Sequence, residues 1–265
     1  MILNHCHVGP AGHTHSMWDQ KGMDEGTFDH LGTFLGETGF ERAVVFAPFQ
    51  QWFDGDPNKW LLDEVSGNEK YIPFITLREV ATALDDLRLG ASRGARGIKF
   101  HPAISKIAIN DPGLDGFYSL AEEMRMPVLI HTGPHGWFLS KYRPALVDEV
   151  ARAHPRLPLV IEHIGGAGLV REAYAVMQNS PNTYGGLASC LVEDFGWFVP
   201  AEEIAFLVRK FGADRFMFGA DFPWNSAENT RKAIKVLGGL KLPRVDLELI
   251  LSGNMERLVS SAVKQ

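Results

Sequence analysis

The stretch from Gly97 to His131 contains Gly97-Ile-Lys-Phe-His-Pro102, then Asp111-Pro112, then Pro127-Val-Leu-Ile-His131. Two short apolar runs, 97–100 and 127–130, have the composition of strands buried on both faces. Between them, Asp111-Pro112 supplies a cap residue and a proline suited to the first turn of a helix. The stretch therefore predicts a strand, a helix and a second strand, with a histidine closing each strand.

The same unit recurs in both directions. Further strand-like runs lie at 1–3, 43–47, 71–76, 158–161, 183–187 and 216–218. Helical periodicity or helix punctuation is read at 27–38, 78–90, 143–154, 200–211 and 225–237, with a further amphipathic helix at 246–263. Alternating strands and helices imply a parallel sheet. Eight units with no linker between them point to one α/β domain over 1–265, a closed (β/α)₈ TIM barrel with a C-terminal helix. The length of 265 residues suits such a barrel, which typically needs about 250. A doubly wound open sheet is the competing topology, but no G-x-G-x-x-G follows the first run.

Composition narrows the class. Hydrophobic residues at 45% and charged residues at 22% describe a globular chain. A net charge of −6 leaves no basic footprint for nucleic acid or an anionic membrane. Cys6 and Cys190 form no C-x-x-C pair, so nothing demands an oxidising compartment. No signal peptide and no span of about 18 apolar residues is read. The expectation is a cytoplasmic protein, free of membrane and nucleic-acid contact, acting on a small molecule, with homo-oligomerisation left open.

The histidines carry the chemistry. Of ten, five sit at or near strand ends: His5 and His7 on the first strand, His101 on the fourth, His131 on the fifth and His163 on the sixth. Asp221 stands just past the eighth. In a (β/α)₈ barrel those ends converge on one face, where active sites lie. Strand side chains alternate, so His5 and His7 share a side and can both reach a metal. Lys99 and His101 share a face as well, and two readings stand for them: binding a substrate anion, or an interior ion pair with an acid such as Glu162. Arg78 follows the third strand and could clamp a substrate carboxylate or lie in solvent. His135, Trp137 and Phe138 follow the fifth strand; Trp18, Phe49, Trp52 and Trp224 follow others and could line an aromatic pocket. Gly90-Ala-Ser-Arg-Gly94 matches a nucleophile elbow but sits between a helix and a strand, the wrong context for one. His13 and His15 form a second H-x-H in a loop, where solvent exposure is expected.

Six stretches then form an ordered set: Asn4-His-Cys-His7, Gly97-Ile-Lys-Phe-His-Pro102, Val128-Leu-Ile-His-Thr-Gly133, Ile161-Glu-His-Ile-Gly165, Phe218-Gly-Ala-Asp-Phe-Pro223 and Gly253-Asn-Met-Glu-Arg-Leu258. In this order the chain resembles the amidohydrolase superfamily, in particular its amidohydrolase-2 branch. That branch holds lactonases, dicarboxylate lactonases and non-oxidative decarboxylases related to aminocarboxymuconate-semialdehyde decarboxylase. The resemblance implies one divalent metal on His5, His7, His131 and Asp221. Zinc is the expected ion, and the mixed N/O set also suits manganese or iron. It implies catalytic roles for Asp221 and for His163, the latter touching the activated water or the substrate. Independently of the resemblance, their places after the strands make Arg78, Lys99, His101 and His135 the expected substrate contacts. In dinuclear relatives a fourth-strand lysine, here Lys99, is carbamylated and bridges two metals. One departure stands out: Asn4 occupies the position where the family usually has Asp, and an amide cannot serve as an anionic partner. Some dicarboxylate lactonases of the branch work without metal, so a metal-free reading stays open. The implied activity is hydrolysis of a lactone, ester or amide of a small, carboxylated substrate. Non-oxidative decarboxylation of a small aromatic or unsaturated acid is the alternative on the same residues. A catalytically dead binding barrel is the third reading.

Overall fold

The structure, a computed structural model, describes residues 1–11, 26–193 and 196–262. Its strands are β1 (Ile2–His7), β2 (Arg42–Phe46), β3 (Tyr71–Thr76), β4 (Gly97–Phe100), β5 (Val128–His131), β6 (Leu159–Glu162), β7 (Thr183–Gly186), β8 (Phe216–Met217) and β9 (Gly219–Phe222). They run parallel in the order β8-β7-β6-β5-β4-β3-β2-β1-β9. The last two are one stave in two pieces. β8 pairs with β7 through Gly185 and Phe216, and β9 pairs with β1 through Asn4 and Gly219. The ring closes there, giving the expected eight-stave TIM barrel. At the break, the Phe218 N–H leaves the sheet and donates to the Ile250 carbonyl at 2.8 Å.

The helices are α1 (Phe28–Thr38), α2 (Pro57–Glu64), α3 (Ala83–Ser92), α4 (Pro102–Ser105), α5 (Asp115–Glu123), α6 (Ala145–Ala153), α7 (Gly166–Asn179), α8 (Ala201–Phe211), α9 (Ala227–Gly239), α10 (Arg244–Glu248) and α11 (Asn254–Ser261). Local chemistry sets their ends. The Thr27 side chain accepts from the His30 N–H, and Gly39 closes α1 at φ 80°, a left-handed geometry that glycine adopts without strain. In α8, Glu202 and Glu203 sit in the first turn and Arg209 and Lys210 in the last, matching the helix dipole.

Several elements differ from the sequence reading. The helix expected at 78–90 begins at Ala83, because residues 78–82 form the turn in which Arg78 reaches forward to Asp86. The helix expected from Asp111 opens with a 3₁₀ turn, Pro112–Leu114, before α5. The C-terminal helix is α10 and α11 joined by a π turn, Leu249–Gly253. Helices α2, α4 and α7 carry no sequence expectation. Glycines at 166 and 168 disguise the start of α7, although Val170, Ala173, Val176 and Met177 bury one face.

Side chains sort into two cores. Leu3, Val45, Ile98, Phe100, Ile130 and Ile161 point outward against the helices. Ile2, Val44, Ile72, Phe74, Leu129, Val160 and Met217 fill the barrel, and Met255, Leu258 and Val259 of α11 plug its N-terminal end. The Ser92 segment ends α3 on this closed side; its Oγ donates to the Leu89 carbonyl at 2.9 Å. Among the described residues no helix is long and apolar enough to cross a membrane.

Candidate metal centre and active site

The first strand decides the geometry of the site. Ile2 faces the barrel interior and Leu3 the helices. Strict alternation would then send Asn4 inward and both His5 and His7 outward. A bulge changes this. The register with β2 shifts between Leu3 and Cys6, and that with β9 shifts between Asn4 and Cys6. His5 adopts φ 68°, in the left-handed region that few non-glycine residues visit. An extra residue in a strand turns the following side chains over. Asn4 and His5 therefore both point inward, Cys6 joins the outer core, and His7 returns to the interior. The His5 and His7 rings lie 5.2 Å apart, each 5.0 Å from Phe46.

Asp221 reaches the same point from β9, also at a positive φ of 58°. Its Oδ1 is 3.4 Å from His5 Nε2 and 3.9 Å from His7 Nε2. Its Oδ2 accepts from Ser189 Oγ at 2.7 Å, and Asn225 Nδ2 donates to that hydroxyl at 2.9 Å. Burial pushes the Asp221 carboxyl up to about 6, against the opposing pull of the Ser189 hydrogen bond and of Lys99.

Glu162 occupies the interior behind His5. Its Oε1 accepts from Asn4 Nδ2 at 3.1 Å, and its Oε2 stands 3.2 Å from His5 Nδ1. These last two atoms face each other outside hydrogen-bonding angles, and neither has another hydrogen-bond partner. Asn4 thus anchors a carboxylate instead of supplying one. Gly186 makes the space: a Cβ there would stand 2.2 Å from Glu162 Oε2.

Lys99 is fully buried, with Nζ 3.0 Å from His5 Nε2 and over the Phe46 ring at 5.2 Å. Burial brings its pKa down to about 8, while Glu162 and Asp221 favour its charge. His163 closes the wall at φ 61°. Its Nδ1 lies 2.8 Å from the Ala188 carbonyl. A carbonyl only accepts, so that nitrogen carries the proton and Nε2 keeps the lone pair. Burial drives His5, His7, His101, His131 and His163 well below the usual histidine range, so all are neutral.

The structure divides the expected ligands. His5, His7 and Asp221 each offer one atom within 4.8 Å of the others. His131 is not in that group; it gathers instead with His101 and His135. Arg78 belongs to neither. Its Nε donates to Asp86 Oδ2 at 3.0 Å, a second arm pairs with Asp86 Oδ1, and Nη1 donates to Gln50 Oε1 at 2.8 Å. This fork ties the β3 loop to α3 and replaces the expected substrate clamp. Phe49 and Trp224 do line the mouth, with ring centres 5.3 and 4.8 Å from His7. Trp137 stacks on Tyr142 at 6.0 Å, and Phe138 is 72% exposed. His13, His15 and Trp18 lie outside the described residues. Sequence reasoning missed Ser189, Asn225 and Trp197, which come from the segments after β7 and β9. Trp197 packs 4.0 Å from His163, and no spacing marks it.

The donor set fits a metal. Ligand atoms about 2.0–2.1 Å from a tetrahedral ion stand roughly 3.4 Å apart. The Asp221 contacts to His5 and His7, at 3.4 and 3.9 Å, are close to that spacing. Lys99 Nζ sits 3.0 Å from His5 Nε2, so that nitrogen would have to exchange the lysine for the ion.

Comparison with known proteins agrees. A family model described as amidohydrolase matches residues 5–260, and the chain belongs to this amidohydrolase-2 family. No curated protein matches the chain. Among solved structures, an uncharacterised TIM-barrel protein from Bordetella bronchiseptica is similar at 18% identity, covering 99% of each chain with a TM-score of 0.81. The 2,6-dihydroxybenzoate decarboxylase from Rhizobium is similar at 15% identity over 98% of each chain, TM-score 0.73. A protein described as a probable 2-pyrone-4,6-dicarboxylic acid hydrolase, from Acinetobacter baumannii with citric acid bound, is similar at 17% identity over 98% of each chain, TM-score 0.71. These likenesses establish the shared barrel.

Proposed function

We propose that this chain is a metal-dependent hydrolase that opens a lactone, ester or amide of a small, carboxylated substrate. The observation that supports it most directly is the convergence of His5, His7 and Asp221 at the open end of the barrel. Zinc is the ion proposed for these three residues. A divalent ion there would polarise the substrate carbonyl and ionise a water near neutral pH.

The chain's own groups supply the rest. With its carboxyl raised to about 6, Asp221 is largely ionised at pH 7 yet basic enough to accept a proton from the attacking water. It then returns that proton to the leaving oxygen or nitrogen. Ser189, steadied by Asn225, holds Oδ2 and leaves Oδ1 to the reaction. Glu162 Oε2, 3.2 Å from His5 Nδ1, is placed to orient that ring, the role a carboxylate takes beside a ligating histidine. His163 presents Nε2 as an acceptor. With Arg78 engaged elsewhere, Lys99 is the cation proposed to meet the substrate carboxylate.

The test is a panel of lactones, esters, amides and aromatic acids assayed for proton release, amine release and carbon dioxide release. Proton release from a lactone or ester, or amine release from an amide, lost in His5→Ala/His7→Ala, supports the proposal. Carbon dioxide release alone would replace it with decarboxylation.

A further inference from the structure

Between the barrel wall and α9, behind Asp221, lies a cavity of about 10 Å³. Leu187 and Phe218 give it apolar walls, and Ser189, Asn225, Asn229 and Thr230 border it with polar groups. That volume is about what one water molecule needs.

Two atoms at this cavity are unpaired. Asn225 Oδ1 and Thr230 Oγ1 are buried with no hydrogen-bond partner among the described residues, and their residues are only 5% and 2% exposed. The Asn225 amide cannot turn over to relieve its oxygen. Its Nδ2 donates to Ser189 Oγ at 2.9 Å and to the Ala220 carbonyl at 2.6 Å. A carbonyl only accepts, so exchanging the amide oxygen and nitrogen would set two acceptors against each other. Thr230 also departs from the other helical threonines. In α1, Thr33 and Thr38 each donate to the carbonyl four residues back, at 3.2 and 2.7 Å. At Thr230 the Ser226 carbonyl accepts from the backbone N–H at 2.9 Å, and the hydroxyl is not drawn to it. Buried polar side chains are normally paired with protein or with ordered water. Here both unpaired atoms border the same small space.

We infer that one water molecule occupies this cavity and bridges Thr230 Oγ1 to Asn225 Oδ1. The Thr230 hydroxyl donates to the water oxygen, and the water donates to Asn225 Oδ1. Asn229, half-buried at the rim, offers a third polar partner, and about three is usual for a buried water. No charged side chain lines the space, which favours water over an ion. The chain of hydrogen bonds then runs from Thr230 on α9 through the water, Asn225 and Ser189 to Asp221. The inference goes beyond the proposed hydrolase reading and does not depend on it.

Two measurements test it. A high-resolution crystal structure of the unmodified chain should show a water within about 2.5–3.0 Å of both Thr230 Oγ1 and Asn225 Oδ1. The second is urea unfolding of Thr230→Val, which keeps the side-chain shape and nearly the same helix propensity. If the hydroxyl had no partner, valine would remove a buried unpaired group, and the midpoint would stay or rise. With the water in place, valine takes away one of its anchors and weakens its hold on Asn225 Oδ1. The midpoint should then fall by roughly a few tenths of a molar. A crystal structure without the bridging water, or a Thr230→Val midpoint equal to or above that of the unmodified chain, would overturn the inference.

Discussion

The two ends of this barrel are built on opposite terms. At the closed end Ile2, Val44, Ile72, Leu129, Val160 and Met217 meet Met255, Leu258 and Val259 of α11. None of these residues has a positive φ. At the open end Asn4, His5, His7, Lys99, His101, His131, Glu162, His163 and Asp221 are all buried. There His5, His163, Ile164, Ser189 and Asp221 take positive φ, each at a cost of order 1–3 kcal/mol for a non-glycine residue. Burying ionisable groups adds to that cost. The apolar end therefore stabilises a fold whose polar end is locally unfavourable, the usual relation between stability and a preorganised site.

If the ends are independent, substitutions at the mouth should change chemistry and those at the base should change stability. The largest effect is expected at Asp221. Asp221→Asn can still offer an oxygen to a metal but cannot take a proton, so kcat should fall at least about 100-fold while metal content largely persists. Paired kcat and metal measurements check this, and activity within a few-fold of the parent would place the base elsewhere. At the base, Leu258→Ala should lower unfolding stability by about 2–5 kcal/mol in a urea titration. Its kcat at a temperature where it is folded should match the parent; a parallel fall in kcat would show that the ends are coupled.

A subtler probe of the mouth is Gly186→Ala. The added Cβ would stand 2.2 Å from Glu162 Oε2, so the carboxylate must swing away from His5. Metal affinity is expected to drop about 10- to 100-fold, as when a histidine loses its outer partner. Unchanged affinity by competition titration would remove Glu162 from that role. The smallest change is expected at Arg78. Arg78→Ala leaves the buried Asp86 without its guanidinium and should cost about 1–3 kcal/mol of stability, read from thermal or urea unfolding. KM for an anionic substrate should not move; a rise would return Arg78 to the substrate side of the comparison.

Much of the site was legible in sequence because strand ends in a parallel barrel converge wherever the strands fall. His5, His7, His101, His131, His163 and Asp221 could be placed at one face from their positions after apolar runs. Partners within that face were not legible. The grouping of His131 with His101 and His135 depends on ring orientations that the positions do not carry. Arg78 stood in the right place for a substrate clamp, but Asp86, eight residues on, captures its fork once α3 forms. Ser189 and Asn225 hold Asp221 from segments with no spacing rule to link them.

Asn4-His-Cys-His7 marks the boundary between the two levels. Hydrophobic periodicity and the ordered motifs were enough to determine a (β/α)₈ barrel of the amidohydrolase-2 family, since both follow from local composition and chain order. Alternation alone also settled that His5 and His7 share a side. Which side was decided only by the tertiary structure. The two strands flanking β1, the closing stave β9 and β2, force a register shift around His5, and one inserted residue turns the two imidazoles from the helix layer into the barrel. Pairing across strands distant in sequence sets that shift, so only the closed barrel decides it.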